Sequence, residues 1–201
     1  FFDIDLSIKK SGKVGERTRW LYPDELQELF QIIKKHGDED TYDLVMMYLY
    51  SGARAKEILI DNEFTWNNIF KRERQIKLYG SKTKKFRWIP LIDTVADILE
   101  KRRSKLAADC EYPFPYRYNN VYDKVVRSLL SNIEGFEDVS IQTLRRTTGM
   151  LLLEAGWDIF AVSEYLGHSD VRVTREWYVG LSNPRKHQMG EDLMKIVNEV
   201  S

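Results

Sequence analysis

One stretch of the sequence, from Val139 to Gly180, contains residue types that could carry out chemistry together. Tyr178 is a possible nucleophile, because phenols and hydroxyl groups form covalent intermediates in many enzymes. His168 is a possible acid–base group or hydrogen-bond donor. Arg145 and Arg146 form a pair of guanidinium groups, which bind anions such as carboxylate and phosphate well. The stretch therefore combines a nucleophile, an imidazole and anion-binding groups.

Apolar spacing and glycine residues predict three helices within this stretch. The first covers residues 141–155 and stops at Gly156, and the second covers 158–166 and stops at Gly167. The third begins after Ser169-Asp170, which suit an N-cap, and reaches position 178. Short connections must fold these helices against one another, so Arg145, His168 and Tyr178 could meet in space.

Length and composition indicate one well-buried domain with an intracellular setting. The chain has 201 residues, one cysteine (Cys110) and no apolar run near the roughly 20 residues that span a bilayer. A single cysteine allows no internal disulfide, which favours a reducing compartment. The 31 basic residues balance the 31 acidic ones, but residues 71–105 contain 12 Lys or Arg against 4 Asp or Glu. We interpret the chain as a fragment of a longer protein.

The remaining patterns predict a mainly α-helical fold with a small antiparallel β-sheet, of the α+β class. Helices are expected at 23–37, 40–50, 53–59, 92–107, 119–133 and 191–200, and strands at 65–70, 75–79 and 86–90. The helix over 92–107 has a basic C-terminal end, which suits its dipole and also suits a phosphate backbone.

Four motifs resemble those of the tyrosine recombinases, the phage-integrase and Xer-like enzymes, and they follow one another along the chain in the family's order. Gln142-Thr143-Leu144-Arg145 resembles their His-x-x-Arg box, and Leu166-Gly167-His168-Ser169 resembles their Leu-Gly-His box. Tyr178 lies near the position of their nucleophile. The first arginine box is similar at Tyr50, Gly52, Arg54, Glu57, Ile58 and Leu59, and the lysine hairpin at Lys82, Lys85, Arg87, Pro90 and Leu91.

The resemblance implies the catalytic-domain fold of that family and its chemistry. Tyr178 would attack a DNA phosphate to form a 3′-phosphotyrosine, with neither metal nor cofactor. The implied catalytic residues are Arg54, Lys82, Gln142, Arg145, His168 and Tyr178, and the implied DNA-binding residues are Lys84, Lys85, Arg87 and Arg146. Taken without the resemblance, Lys82 to Lys85 are a basic hairpin tip, and Arg146 is a surface or DNA-backbone residue. Glu57 is expected to orient Arg54.

Two features depart from the family pattern. Gln142 stands where histidine is commonest, and glutamine can form hydrogen bonds but cannot exchange a proton near neutrality. Tyr178 lies one position farther from His168 than usual, and Trp177 occupies the usual place. No other tyrosine follows His168, so Tyr178 remains the expected nucleophile.

The resemblance also implies a domain organisation and partners. Residues 1–20 are expected to be a basic linker from an N-terminal core-binding domain, 21–181 the catalytic domain, and 182–201 a tail with a short amphipathic helix. The expected partners are double-stranded DNA and further copies of the chain in a synaptic tetramer, without a membrane. The alternatives are a DNA-binding module of the same fold with impaired catalysis, a helical interaction domain and a type IB topoisomerase.

Overall fold

The computed structural model describes residues 19–122, 125, 130, 134–179 and 194, and it confirms a mainly helical fold with a small antiparallel sheet. In this part of the chain the elements are α1 (Pro23–His36), α2 (Glu39–Ser51), β1 (Ile69–Phe70), β2 (Gln75–Gly80), β3 (Lys85–Pro90), α3 (Asp93–Lys105), α4 (Tyr118–Val121), α5 (Ile141–Glu154), α6 (Ile159–Leu166) and α7 (Val171–Val179). Nearly all of the predicted linker, most of the helix predicted over 119–133 and all but one residue of the helix predicted over 191–200 fall outside the described residues.

The helices begin at residues that satisfy their first backbone N–H groups. Asp38 accepts a hydrogen bond from the amide of Thr41 at 2.8 Å and caps α2. Asp158 caps α6 in the same way, with its carboxylate 2.8 Å from the amide of Phe160. Pro23 occupies the first turn of α1, where its missing N–H costs nothing. These caps explain why the helix starts are close to those expected from the sequence.

The sheet has the order β1-β2-β3, with both pairs antiparallel. The pairing of β2 with β3 runs from Gln75 opposite Pro90 to Gly80 opposite Lys85. Because side chains alternate across a strand, Ile76 and Leu78 point from β2 into the core, and both are fully buried. The hairpin turn between β2 and β3 therefore lies at one end of a sheet that is anchored on its inner face.

In the core, α5 lies between α2 and α6. α5 packs against α2 on one side and against α6 on another, and α6 also contacts β3. Leu144 lies in the main core cluster, whereas Leu153 joins a smaller cluster with Val162 and Leu166 of α6. Burying an aliphatic side chain of this size contributes about 1.5–3 kcal/mol. The packing thus holds the C-terminal ends of α2 and α6 near the middle of α5.

Lys101 and Arg102 at the basic end of α3 are tied to α2, whereas Arg103 and Lys105 at the same end are exposed. Arg102 is buried and donates to the carboxylates of Asp40 at 2.8 Å and Asp43 at 3.3 Å. Lys101 donates to Asp43 at 2.6 Å. Removing one member of a buried ionic network leaves an uncompensated charge, which is strongly destabilising. Arg102 is therefore a structural residue and is not positioned to contact a phosphate backbone.

Two predicted elements were wrong. Residues 53–59 form turns with i→i+3 bonds, such as the Glu57 amide to the Arg54 carbonyl at 2.9 Å, because the Glu57 carboxylate folds back onto the Arg54 amide at 3.1 Å. The strand expected over 65–70 is reduced to β1, since Asn68 accepts from the Thr65 amide at 2.8 Å and closes a 3-10 helix at Trp66–Asn68.

The N-terminal end of the described chain packs onto the rest of the fold. Arg19 and Trp20, the last residues of the predicted linker, pack onto the domain. Arg19 pairs with Glu25 at 2.8 Å, and Trp20 belongs to the smaller core cluster. Within the residues that the structure describes, no helix is long and apolar enough to cross a membrane.

We predict that Gly52→Ala destabilises the protein by about 2–4 kcal/mol. Gly52 has φ 55°, and an added Cβ would lie 2.5 Å from Cδ2 of Leu166. A left-handed alanine costs about 1 kcal/mol and overpacking about 1–3 kcal/mol. Denaturant unfolding measures the change. In the double variant Gly52→Ala/Leu166→Ala the clash is absent. The stability lost in the double variant should therefore be smaller, by at least about 1 kcal/mol, than the sum of the losses in the two single variants. Strict additivity would contradict this explanation.

Candidate active site

Two helix ends meet at the centre of the candidate site. Gly52 caps the C-terminal end of α2 and Gly167 that of α6, and both glycines have left-handed backbones, with φ of 55° and 69°. The last turn of a helix leaves carbonyl oxygens without partners inside the helix and carries a partial negative charge. Cationic side chains are therefore stabilised beside both ends.

Three arginine side chains donate to consecutive carbonyl oxygens at the end of α6. The bonds are Arg87 Nε to Tyr165 at 3.0 Å, Arg145 Nη2 to Leu166 at 2.6 Å, and Arg54 Nη2 to Gly167 at 3.1 Å. Arg87 and Arg145 also donate to the end of α2, to the carbonyl oxygens of Ser51 at 3.1 Å and Gly52 at 2.5 Å. These two arginines therefore connect the two helix ends, and Arg54 lies beside them.

Glu57 supplies a carboxylate to this cluster. Its side chain is 1% exposed and accepts from Arg54 Nη1 at 2.8 Å and from Arg87 at 3.2 Å. The sequence suggested that Glu57 orients Arg54, and the structure has the two side chains paired. Because the same carboxylate also receives Arg87, it fixes the guanidinium of Arg54 relative to the sheet as well as to α6.

The charge balance of the cluster makes it attractive to an anion. Burial, followed by the charges of Arg54 and Arg87, lowers the pKa of Arg145 to about 9. Burial also lowers the pKa of Arg87, with Glu57 opposing the shift and Arg54 adding to it. The cluster places three guanidinium groups around one carboxylate. An anion placed here would reduce the repulsion between them, as a phosphate group would.

His168 follows directly after the end of α6 and is held from α7. Its Nδ1 lies 2.7 Å from Oγ1 of Thr174, which is fully buried. Burial, followed by the charges of Arg145, Arg54 and Arg87, lowers the pKa of His168 from 6.5 to about 3. The imidazole is therefore neutral near pH 7. A neutral imidazole can donate one hydrogen bond to an anion, but it adds no positive charge.

The lysine hairpin lies next to the arginine cluster. Lys82 and Lys84 are exposed in the turn, and Lys85 is exposed at the start of β3. Gly80, the last residue of β2, brings the hairpin backbone close to Arg54, since a Cβ at this glycine would lie 3.7 Å from Arg54 Nη1. The turn that carries Lys82 is thus adjacent to the exposed side of the cluster.

Arg87 differs from its expected role. A DNA-binding arginine needs an exposed guanidinium, whereas the Arg87 side chain is 10% exposed and donates to Glu57 and to both helix ends. The alternation of side chains along β3 indicates that Arg87 points inward. Arg87 and the fully buried Ile89 are two residues apart in β3, so they lie on the same inward face. Arg87 organises the site from the inside.

The other two expected polar residues lie on α5. Gln142 is exposed in the first turn of the helix. Arg146 is half-buried, and its Nε has no hydrogen-bond partner among the described residues. Burial lowers the pKa of Arg146. Neither residue belongs to the hydrogen-bonded cluster around Arg145, so both remain predictions as site residues.

The last turn of α7 carries position 178. The helix runs from Val171 to Val179, so the backbone at Tyr178 is helical, whereas the side chains of Trp177 and Tyr178 fall outside the described part of the structure. Thr174, which the sequence interpretation missed, precedes position 178 by four residues and shares its face of the helix. The described residues contain no group of three His, Cys, Asp or Glu side chains suited to a metal ion.

Comparison with known proteins identifies related chains. Residues 19–184 match the model of the phage integrase family. Transposase A from transposon Tn554 of Staphylococcus aureus is 30% identical, with 90% of this chain and 52% of the relative covered. The chain therefore spans about half the length of the curated relatives that it matches.

Solved structures with similar folds include two integrases. The Tn1549 transposon integrase in complex with a circular intermediate DNA has a TM-score of 0.69 at 17% identity, covering 94% of this chain and 70% of that one. The catalytic domain of bacteriophage HP1 integrase has a TM-score of 0.60 at 21% identity, covering 86% of this chain and 94% of that one. At these identities the likeness concerns the fold.

We predict that His168 stays neutral from pH 8 down to about pH 4, because its pKa is near 3 in the folded chain. The imidazole proton resonance measures this by NMR, and His168→Gln assigns it. Below the unfolded value of 6.5 only the unfolded chain takes up this proton. Stability should therefore fall as the pH drops from about 6.5 towards 3, and less so in His168→Gln. A titration midpoint near 6.5 would contradict the buried, cation-flanked environment.

Proposed function

The chain belongs to the phage integrase family, and we propose that it is the catalytic domain of a site-specific recombinase. It would cleave and rejoin strands of double-stranded DNA through a 3′-phosphotyrosine intermediate. The observation that carries the proposal is the set of guanidinium groups at the ends of α2 and α6, next to His168 and to the helix that carries Tyr178. Clustered guanidinium groups of this kind bind the oxygens of a phosphate group well.

The proposed reaction needs no energy source beyond the DNA itself. The Tyr178 phenol loses its proton to solvent as its oxygen attacks the phosphorus of the scissile phosphate, the new O–P bond forms, and the bond to the 5′ oxygen breaks. The phosphotyrosine conserves the energy of the broken diester, and attack by a 5′ hydroxyl reverses the step and releases the phenol. The negative charge that develops on the non-bridging oxygens requires fixed donors around it.

Arg54 and Arg145 would provide this stabilisation in different ways. The Arg54 side chain is 24% exposed, so its remaining N–H groups can bond directly to a phosphate oxygen. Arg145 is 1% exposed, and it would act chiefly through its charge from beneath the phosphate. A charge in a buried, low-dielectric setting has a stronger effect than the same charge in water. Neutral His168 would donate a hydrogen bond to a second oxygen.

Lys82 and the surrounding basic residues would act from the surface. The departing 5′ oxygen needs a proton, and an exposed lysine on a hairpin turn beside Arg54 could supply it. Lys84, Lys85 and Arg146 are proposed to bind the DNA backbone, and Gln142 to bond near the scissile phosphate without exchanging a proton. Assembly of several copies on DNA, as a synaptic tetramer, is also proposed. These roles concern the activity of a whole protein and are proposals.

The nucleophile can be tested with a nicked suicide duplex from the element's own attachment region. Wild-type protein should form a protein–DNA adduct that survives denaturation, because loss of the short strand traps the phosphotyrosine. Tyr178→Phe should form none, since the phenylalanine ring has no oxygen to attack phosphorus. A gel shift of the same duplex checks that both proteins bind DNA.

An adduct that persists in Tyr178→Phe would identify another nucleophile. Binding without any adduct in the wild type would count against catalysis by this chain and favour a DNA-binding module of the same fold. The full-length protein, tested in parallel, separates that outcome from a requirement for other domains.

The role of Lys82 can be tested with a substrate whose bridging 5′ oxygen is replaced by sulfur. A thiolate leaves without a proton, so Lys82→Ala should cleave normal DNA at least about 100-fold more slowly, the scale of general-acid catalysis, yet cleave the sulfur substrate at nearly the wild-type rate. Lys84→Ala is the matched control in the same turn. Its rate relative to the wild type should be the same on both substrates. Equal losses on both substrates for Lys82→Ala would assign it to binding instead.

A further inference from the structure

Thr174 is a buried polar side chain that directly contacts the candidate site. It lies on α7 and is fully buried, and its hydroxyl is 2.7 Å from Nδ1 of His168. No other hydrogen bond of this hydroxyl is found among the described residues. The bond connects the residue that follows α6 to the helix whose last turn holds Tyr178. A single hydroxyl thus links two separate parts of the proposed catalytic set.

We infer that Thr174 is a positioning residue, which donates its hydroxyl proton to His168 Nδ1 and thereby keeps the imidazole proton on Nε2. The inference rests on the proposed function, because it concerns how His168 meets a phosphate. A neutral imidazole has one N–H and one lone pair. If Nδ1 accepts from Thr174, Nε2 is the donor that the phosphate requires.

A bound anion would further favour the tautomer that the Thr174 bond sets. Arg54, Arg87 and Arg145 lie beside the proposed phosphate site, and a phosphate oxygen there accepts hydrogen bonds only. A lone pair on Nε2 would face that oxygen and repel it, whereas an N–H would bond to it. In metal and catalytic sites, the partner of one imidazole nitrogen commonly sets which of the two carries the proton. Thr174 occupies that partner position here.

The same bond restrains α7 relative to the arginine cluster. His168 follows Gly167, whose carbonyl oxygen accepts from Arg54 at 3.1 Å. Thr174 lies on the same face of α7 as position 178, one turn earlier. Loss of the hydroxyl should therefore disturb the imidazole orientation and the placement of the nucleophile relative to the phosphate. Both effects lower the rate of cleavage more than they lower DNA affinity.

The alternative is that Thr174 only fills space in the core, and two substitutions distinguish these roles. Thr174→Val keeps the branched shape and removes the hydroxyl, whereas Thr174→Ser keeps the hydroxyl and removes the methyl group. If the hydroxyl is what matters, the serine variant should behave like the wild type although it leaves a small cavity. If packing is what matters, the valine variant should be the milder one.

The experiment measures single-turnover cleavage of the nicked suicide duplex with protein in saturating excess. Thr174→Val should cleave about tenfold more slowly, which corresponds to loss of one hydrogen bond, with DNA affinity within about threefold of the wild type. Thr174→Ser should stay within about threefold of the wild-type rate. Unchanged cleavage by the valine variant, or an equal loss in both variants, would overturn the inference.

A second measurement is independent of cleavage. Nitrogen-15 NMR of the 201-residue chain without DNA reports the tautomer of His168, with His168→Gln for assignment among three histidines. The expected result is a protonated Nε2 and an unprotonated Nδ1, with the Nδ1 shift altered in Thr174→Val and kept in Thr174→Ser. A protonated Nδ1 in the wild type would overturn the inference. This spectrum decides the matter even if the valine variant fails to fold or if the wild type forms no adduct with DNA.

Discussion

The structure of the site depends on the hydrogen bonds from buried arginines to the carbonyl ends of α2 and α6. Arg145 and Arg87 each donate to both ends, so the two helices are held together through charged side chains as well as through apolar packing. The C-terminal carbonyl oxygens would otherwise lack partners in a buried region, which costs about 1–3 kcal/mol for each group. The residues that satisfy these oxygens are the same ones that we propose bind a phosphate.

Bonding to two helix ends while keeping N–H groups for a proposed ligand is a combination that arginine can meet at these positions. A guanidinium has five N–H donors in a planar fork, so it can donate to two carbonyl oxygens and still present N–H groups to a ligand. Lysine could satisfy one helix end but would lose the bridge to the other. Burial makes the charges costly, as the lowered pKa of Arg145 indicates. The carboxylate of Glu57 offsets part of this cost and leaves the cluster with an excess of positive charge.

Much of the fold and part of the site could be predicted from the sequence. The caps and apolar spacing placed most helices within a few residues, and the motif resemblance selected Arg54, Arg145 and His168, which the structure brings together. Motifs give residue types in order, but not the direction in which each side chain points. The inward direction of Arg87 was readable only from its register with Ile89. The turns at 53–59 depend on Glu57 folding back onto Arg54, a contact that helical spacing does not express.

The bounds of α7 show in which directions positions 177 and 178 lie, and so what the extra residue between His168 and Tyr178 changes. The helix begins at Val171, and Thr174 is buried against His168, which fixes the rotation of α7 about its own axis. Each residue in an α-helix turns the chain by about 100°, so position 177 lies about 60° to one side of Thr174 and position 178 about 40° to the other. Both positions belong to the half of the helix that contains Thr174. Helix positions nine and ten residues after His168 therefore both lie on the half of α7 that contacts His168 through Thr174.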